Sequence, residues 1–409
     1  MAIEISLPSI RHKLTELNPA VESYAAQFVD ELLRASYQLG ASDVHLQPTA
    51  DGVAVAVRID GVLQPCGTFS AGKVSDVIAR LKVLSDLLTY KTDVPQEGRV
   101  RKPPFAAEIR VSSFPTLHGE KAVVRLFAAE ARFQYLENLG IPTEIYQRLS
   151  RLIEETSGAV LITGPAGSGK TTTAYASLRE IVRRSGGGRS IATLEDPVEA
   201  SIGGVAQSQV NPRAGFDMAT GLRSLLRQDP EVIFVGEMRD PATAGTALQA
   251  SLTGQLVLTT FHAGSAAGAI SRLLDMGLEP YILRSGVLAV LCQRLVRKLC
   301  SCAKPGDSPE ATLGLPVSKA RIPQSCPDCH GTGYRGRLLL VEMLTFDMAR
   351  VAAGVLARSD AGALERAAMQ GGMRTRWHEA CRAVEEGLTS AVEIRRVLGF
   401  SDVFSAPQG

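Results

Sequence analysis

Residues Gly164-Pro165-Ala166-Gly167-Ser168-Gly169-Lys170-Thr171, followed by Thr172, have the spacing G-x-x-x-x-G-K-[ST]. Glycines let the backbone turn its N–H groups inward onto phosphate oxygens. A helix N-terminus adds partial positive charge at the same place. In this pattern Lys170 reaches the β- and γ-phosphates and Thr171 binds Mg²⁺, so the expected ligands are ATP and magnesium. Context carries the reading. The apolar strand Val160-Leu161-Ile162-Thr163 precedes the loop, and a helix over Thr171–Ile181 follows it. A glycine-rich turn ending in a surface lysine would need neither.

Hydrolysis also needs a carboxylate to orient or activate water. Two glutamates fall at the ends of apolar runs. Val232-Ile233-Phe234-Val235-Gly236 leads into Glu237, and Thr193-Leu194 leads into Glu195-Asp196-Pro197. Gly236 stands where an aspartate is usual, which leaves the carboxylate role to Glu237. Parallel strands would bring both glutamates to the edge that carries the phosphate loop. The strand Leu256–Thr260 ends in Phe261-His262, so His262 sits where a γ-phosphate sensor would.

Cys300-Ser301-Cys302 and Cys326-Pro327-Asp328-Cys329 form two close pairs. Four thiolates so spaced suit a closed, structural tetrahedral Zn²⁺. The first pair is the tighter C-x-C, and His330 is an alternative ligand. Cys66, Cys292 and Cys381 are isolated and read as core residues. The seven cysteines are an odd number in a chain expected to be cytosolic, which argues against a disulfide framework.

These groups need a scaffold, and the chain of 409 residues allows two to three domains at roughly 150 residues each. Hydrophobic residues make up 45%, enough for a sizeable core. Forty-four Lys and Arg against 42 Asp and Glu give +2, and aromatics are only 5%, which speaks against a nucleic-acid coat or a base-stacking channel. No apolar run reaches the ~20 residues of a membrane span. The opening MAIEISLPSIRHKLTEL is charged and lacks the apolar centre of a signal peptide.

Helical spacing of Phe28, Leu32 and Tyr37, a hairpin around Asp60-Gly61, a helix over Gly72–Leu88 and strands at Phe105–Ser113 and Lys121–Phe127 predict a small α+β domain over 1–137, with a linker at Asn138–Pro142. Strands at Ala159–Thr163, Ser190–Leu194, Val232–Val235 and Leu256–Thr260 alternate with helices and predict a parallel α/β core over 138–299. The cysteine insert spans 300–345 and ends in an expected hairpin at Tyr334–Leu344; 346–409 is expected to be helical. Arg294, Arg297 and Lys298 read as a basic helix face, solvated or touching anionic lipid.

The set resembles the type II secretion and type IV pilus assembly ATPases. It comprises Ala41-Ser42-Asp43-Val44-His45, Gln96-Glu97-Gly98-Arg99, the phosphate loop with Thr171-Thr172-Thr173, Thr193–Glu199, Leu226-Arg227-Gln228-Asp229-Pro230, Gly236-Glu237-Met238-Arg239-Asp240, and the four cysteines with Gly331-Thr332-Gly333-Tyr334. The resemblance covers about residues 25 to 400. It implies a RecA-like ATPase domain behind a PAS-like domain. It also implies homo-hexameric rings at the cytoplasmic face of the inner membrane, working on secretion or pilus platform proteins to assemble pilin-like subunits. Glu195 then lies in the family's aspartate box and Glu237 in its Walker B motif, and Arg99, Arg110 and Arg125 match arginines that complete the nucleotide site.

The chain departs from the family at Gln255, where histidine is usual, and at Ala263-Gly264, where Thr-Asn is usual; both bear on γ-phosphate sensing. It also starts close to the expected PAS-like domain, so the extra N-terminal docking module of many family members is expected to be absent. The cysteine insert, which retraction motors of pili usually lack, favours assembly or secretion. Two other readings compete. A non-hydrolysing nucleotide-binding scaffold would have lost Lys170 or Glu237, and both are present. A RecA-like nucleic-acid motor would need a basic channel that the charge balance does not supply.

Overall fold

The computed structural model describes residues 7–70, 74–101, 105, 107–128, 133–306 and 309–400. The start of the helix expected from Gly72 and the last nine residues of the expected helical region lie outside them. The chain divides into two compact units. One is Met1–Glu130 with Cys300–Cys302 and Pro323–Gly336; the other is Ala131–Leu299, Ala303–Ile322 and Arg337–Gly409.

The first unit contains α1 (Leu7–Glu16), α2 (Tyr24–Gln38), β1 (Asp43–Thr49), β2 (Gly52–Ile59), β3 (Val62–Ser70), α3 (Val74–Leu84), β4 (Gln96–Arg99), β5 (Ala107–Thr116) and β6 (Gly119–Ala128). The strands form one sheet in the order β3-β2-β1-β6-β5-β4. Alternation sorts the two faces. Val44, Leu46, Val55, Val57, Val111 and Val124 point into a core shared with Phe28 and Leu32 of α2. The residues between them take the other face. α1 and β1, which hydrophobic spacing did not single out, belong to this same packing.

The second unit is a seven-stranded sheet. Its elements are α4 (Thr143–Leu152), β7 (Gly158–Thr163), α5 (Lys170–Ser185), β8 (Ile191–Glu195), β9 (Ala206–Gln209), α6 (Met218–Leu225), β10 (Val232–Val235), α7 (Pro241–Leu252), β11 (Leu256–Phe261), α8 (Ala266–Asp275), α9 (Pro280–Gly286) and β12 (Val287–Leu299). A small ribbon, β13 (Lys304–Gly306) with β14 (Ala320–Ile322), precedes β15 (Tyr334–Thr345), and α10 (Ala349–Leu356), α11 (Ala361–Gln370), α12 (Arg376–Glu385) and α13 (Ala391–Leu398) close the chain. The sheet order is β15-β12-β7-β11-β10-β8-β9. The pairs β12·β7, β7·β11, β11·β10, β10·β8 and β8·β9 are all parallel. β7, β8, β10 and β11 are buried at every position, as strands covered on both faces must be. The segment expected as a linker is packed: Leu136 is buried in this unit's core, with Leu139 and Ile141 against it.

Three expectations are corrected. The basic helix face is strand β12, 13 residues long. Its cations part company: Arg297 pairs with the buried Glu393 of α13, Arg294 donates to the carbonyls of Gln293 and Gly264, and of the three only Lys298 is exposed. No contiguous patch for lipid results. The hairpin at Tyr334–Leu344 is one strand, β15, beside β12; Gly336 takes φ +77° without reversing the chain. Gln255 is not a γ-phosphate neighbour. It precedes β11, where its carbonyl accepts from Gly158 at the start of β7. Both strands run from that end toward the phosphate loop, so Gln255 lies roughly 20 Å from it at ~3.3 Å per residue. Ala263 and Gly264 do follow the other end of β11.

Candidate active site

Because the central strands are parallel, their C-terminal ends share one edge, and the predicted phosphate loop, Glu195, Glu237 and His262 meet there. The loop leaves β7 through Gly164, whose φ is +145°. A Cβ there would lie 2.5 Å from Ser168 Oγ and 2.6 Å from the Gln293 carbonyl, so glycine is required by space as well as by conformation. Pro165, Ala166 and Gly167 are exposed. Gly169 is the N-cap of α5, in the left-handed region. Thr171 and Thr172 are exposed in the first turn of that helix, beside its free N–H groups.

Lys170 is 9% exposed, and its Nζ donates to the carbonyls of Gly164 and Pro165, each at 3.0 Å. Burial holds its ammonium below the ordinary lysine value, while the Glu237 carboxylate pulls the other way. A buried ammonium whose hydrogen-bond partners are neutral carbonyls gains from an incoming phosphate.

Glu237 Oε1 lies 2.7 Å from His262 Nε2, and its Oε2 lies 2.6 Å from Arg239. His262 must donate to that carboxylate, and its own carbonyl accepts from Arg272 at 2.8 Å, which fixes the loop after β11. Glu195 is 2% exposed. Its Oε2 accepts from Tyr175 Oη at 2.5 Å, and its Oε1 accepts from Thr193 Oγ1 at 2.6 Å and Gln207 Nε2 at 3.2 Å.

Gly236 explains why no aspartate precedes Glu237. Its N–H donates to the Leu194 carbonyl at 2.8 Å. A Cβ would come within 3.2 Å of Glu195 Cα and 3.4 Å of the Leu194 oxygen. The two glutamates therefore flank a point of close backbone approach. Tyr175 and Gln207 were invisible to sequence reasoning, because neither belongs to a spacing that carries chemistry.

The three arginines lie in the first unit, at adjacent cross-strand positions. Arg99 is opposite Arg110, Arg110 opposite Arg125, Arg125 opposite Asp43 and Asp43 opposite Arg58. Like charges at such spacing repel, and two carboxylates offset them. Glu108 Oε1 is 2.8 Å from Arg110 and 3.2 Å from Arg99; Asp43 is 3.1 Å from Arg125 and 3.4 Å from Arg58. A row of guanidinium groups, held by these two carboxylates, runs across one sheet face.

The four predicted cysteines converge, all four sulfurs lying within 4.8 Å of one another. Cys300–Cys326 is 3.7 Å, Cys326–Cys329 is 3.6 Å and Cys302–Cys329 is 4.0 Å. Tetrahedral ligands about 2.3 Å from a Zn²⁺ ion would stand about 3.8 Å apart, so the cage fits. N–H groups of Gly333 and Cys326 point at Cys329 Sγ, 3.2 and 3.4 Å away. Burial is outweighed by these donors, and the Cys329 thiol is held at about 7. Cys302 is pushed up to about 12 by burial and by Cys326, Cys300 and Cys329. A cation among the sulfurs would relieve that opposition. His330 is not among the converging ligands. Cys66 and Cys292 are buried and Cys381 half-buried, as isolated packing residues.

The profile of the family described as Type II/IV secretion system protein matches residues 20–396, and the chain belongs to that family. It is 40% identical over 384 residues to the type II secretion system ATPase E of Vibrio cholerae serotype O1, covering 91% of this chain and 75% of that protein. It is 38% identical over 384 residues to the type IV pilus assembly ATPase PilB of Thermus thermophilus, covering 91% of this chain but 43% of the Thermus protein. Among solved structures, the pilus retraction motor PilT with bound ADP superposes with a TM-score of 0.59 at 25% identity, over 90% of this chain and 96% of that one. The Legionella pneumophila ATPase DotB superposes at 0.65 and 22% identity, over 90% and 94%, which shows the shared fold. Among the described residues no helix is long and apolar enough to cross a membrane.

Proposed function

We propose that the chain is an ATPase motor that couples ATP hydrolysis to assembly of a pseudopilus or type IV pilus, working as a hexameric ring at the cytoplasmic face of the inner membrane with platform proteins as partners. The observation that carries the reading is the meeting of Lys170, Thr171, Glu195, Glu237 and His262 at one sheet edge. The family and the secretion and pilus-assembly relatives support it, as does the tetracysteine cage. The parallel order of β12-β7-β11-β10-β8 is in keeping with a RecA-like core. In the first unit, β1 lies between β2 and the last strand β6, in keeping with a PAS-like sheet.

In this reading the backbone of residues 164–170 cradles the phosphates. Lys170 leaves its loop carbonyls for the β- and γ-phosphates, and Thr171 holds Mg²⁺. When bound, the metal neutralises charge developing on the phosphoryl oxygens. Glu237 orients the attacking water and accepts its proton, while His262 and Arg239 fix its carboxylate. Zn²⁺ on Cys300, Cys302, Cys326 and Cys329 is structural, since four protein ligands leave no open position.

Unit two supplies a lysine and carboxylates. Arg99, Arg110 and Arg125 supply further cations for the γ-phosphate, a contribution worth ~10³–10⁵ in rate where arginine fingers act. Lys170→Ala chains and Arg110→Ala chains, each inactive alone, test the ring. Mixing them restores part of the activity if the arginine comes from a neighbour. If the arginine acts within its own chain, mixing restores nothing. Full activity after replacing all three arginines excludes them.

A further inference from the structure

The Glu195 carboxyl group is buried. Its carboxylate is served by Tyr175, Thr193 and Gln207, all neutral donors. Among the described residues no Lys or Arg pairs with it. A carboxyl group buried in that way depends on such hydrogen bonds to satisfy its oxygens and fix its orientation. The Tyr175 hydroxyl is the only donor to Oε2, at 2.5 Å, and it also accepts the N–H of Glu199 at 3.0 Å. The ring is held edge-on to Phe234 of β10, centroids 6.1 Å apart. Burial, and then the bond to Glu195, push the phenol well above its ordinary value, so it remains a donor at any working pH.

Tyr175 belongs to α5, one helical turn beyond Thr171. It therefore links three places. One is the helix whose first turn carries Lys170 and Thr171. The second is the carboxylate that ends β8. The third is the segment that follows it, through Glu199. Glu195 in turn abuts Gly236 and so borders Glu237.

We propose that Tyr175 is a positioning residue for ATP hydrolysis, holding the Glu195 carboxylate in one orientation beside Glu237 and tying its place to the phosphate-loop helix. This rests on the ATPase reading above. At 2% exposure Glu195 is closed to water and does not take its proton; it serves as a fixed group at the sheet edge. The proton falls to Glu237, which is more exposed, at 18% of its side chain.

Tyr175→Phe removes one oxygen and leaves the ring's packing. Among the described residues Glu195 then has no donor left at Oε2, and a buried carboxylate oxygen without a partner no longer holds one orientation. The titratable and charged side chains on the elements packed against it are Lys170, Tyr175 and Arg179 on α5, Asp196 and Glu199 after β8, Asp217 and Arg223 at α6, and Glu237 and Arg239 after β10. Of these only Tyr175 hydrogen-bonds the Glu195 carboxylate.

The experiment is kcat and KM for Mg·ATP hydrolysis by the full chain and by Tyr175→Phe. The expected result is kcat down about tenfold with KM changed less than about threefold, since a displaced carboxylate slows the chemical step and leaves the phosphate loop intact. Gln207→Ala, on the edge strand, should lower kcat the same way by less. It serves as the second arm should Tyr175→Phe fold poorly. Tyr175→Phe placed on Glu195→Gln should add no further loss. An unchanged kcat in both variants, a kcat loss matched by an equal rise in KM, or losses that simply multiply in the double variant, would overturn the assignment. A wild-type chain without ATP turnover would instead overturn the broader reading.

Discussion

His262 Nε2 and Glu237 Oε1 are 2.7 Å apart, although they leave the sheet from different strands, β11 and β10. The parallel register of those strands sets Val235 opposite Thr259, so the residues that follow each strand emerge together. His262 thereby fixes one oxygen of the carboxylate proposed to activate water, while Arg239 fixes the other. In His262→Asn the shorter amide does not reach Glu237, and Arg239 alone restrains it. Turnover should fall about tenfold with nucleotide affinity unchanged. Equal kcat in the variant and the wild type would remove His262 from the site.

Gly236→Ala tests the close approach of β8 and the residue after β10. The backbone there has no left-handed φ, so the cost is one of space alone. The new methyl meets Glu195 Cα at 3.2 Å, and the strand ends must part by a few tenths of an ångström. A loss of about 1–2 kcal/mol is expected, a fall in melting temperature of several degrees. ATPase activity should fall further than the folded fraction does, because the displaced atoms belong to Glu195. Activity that only tracks the folded fraction would separate Gly236 from the chemistry.

Glu393 of α13 is fully buried and paired with Arg297 and Arg396. Burial pushes its carboxyl up, but the hydrogen bonds from Arg396 and Arg297 outweigh it, and the net value lies below the ordinary 4.5. A carboxylate depressed in the folded state adds stability that is complete above its unfolded value and fades as pH falls through the folded one. Glu393→Ala should therefore cost about 3 kcal/mol at pH 7. The gap from wild type should narrow below pH 4.5, as urea unfolding at pH 7 and pH 3.5 would record. A gap constant over that range would contradict the pairing.

Elemental analysis of the purified chain should find about one zinc per molecule. Cys326→Ser removes a ligand that stands 3.6–3.7 Å from two of the others. It should lower metal content and thermal stability while leaving nucleotide binding at the phosphate loop close to normal. A metal-free preparation of undiminished stability would show that the cage needs no ion.

The phosphate loop and its strands were legible because each signal is local. β7, β8, β10 and β11 are short apolar runs, and the loop is an unbroken sequence pattern. β12 was misread because its basic residues take their meaning from afar. Arg297 answers to Glu393, 96 positions away, and Arg294 to Gly264, 30 positions away. β15 resembled a hairpin because Gly336 is a turn signal that the strand absorbs with a left-handed φ. The bond from Tyr175 to Glu195 joins a helix to a strand end, and no spacing in the sequence announces it. Gln255 was tied to γ-phosphate sensing only because the resembling family usually has histidine there, yet β11 carries it and His262 to opposite ends of the sheet.

The most direct test is steady-state phosphate release from Mg·ATP by the wild-type chain and by Glu237→Gln, at matched nucleotide occupancy. The wild type should turn over. The variant should bind ATP as tightly and release phosphate at least ~10²-fold more slowly, because the amide oxygen is too weak a base for the water's proton. Equal release rates from the two proteins would contradict the account.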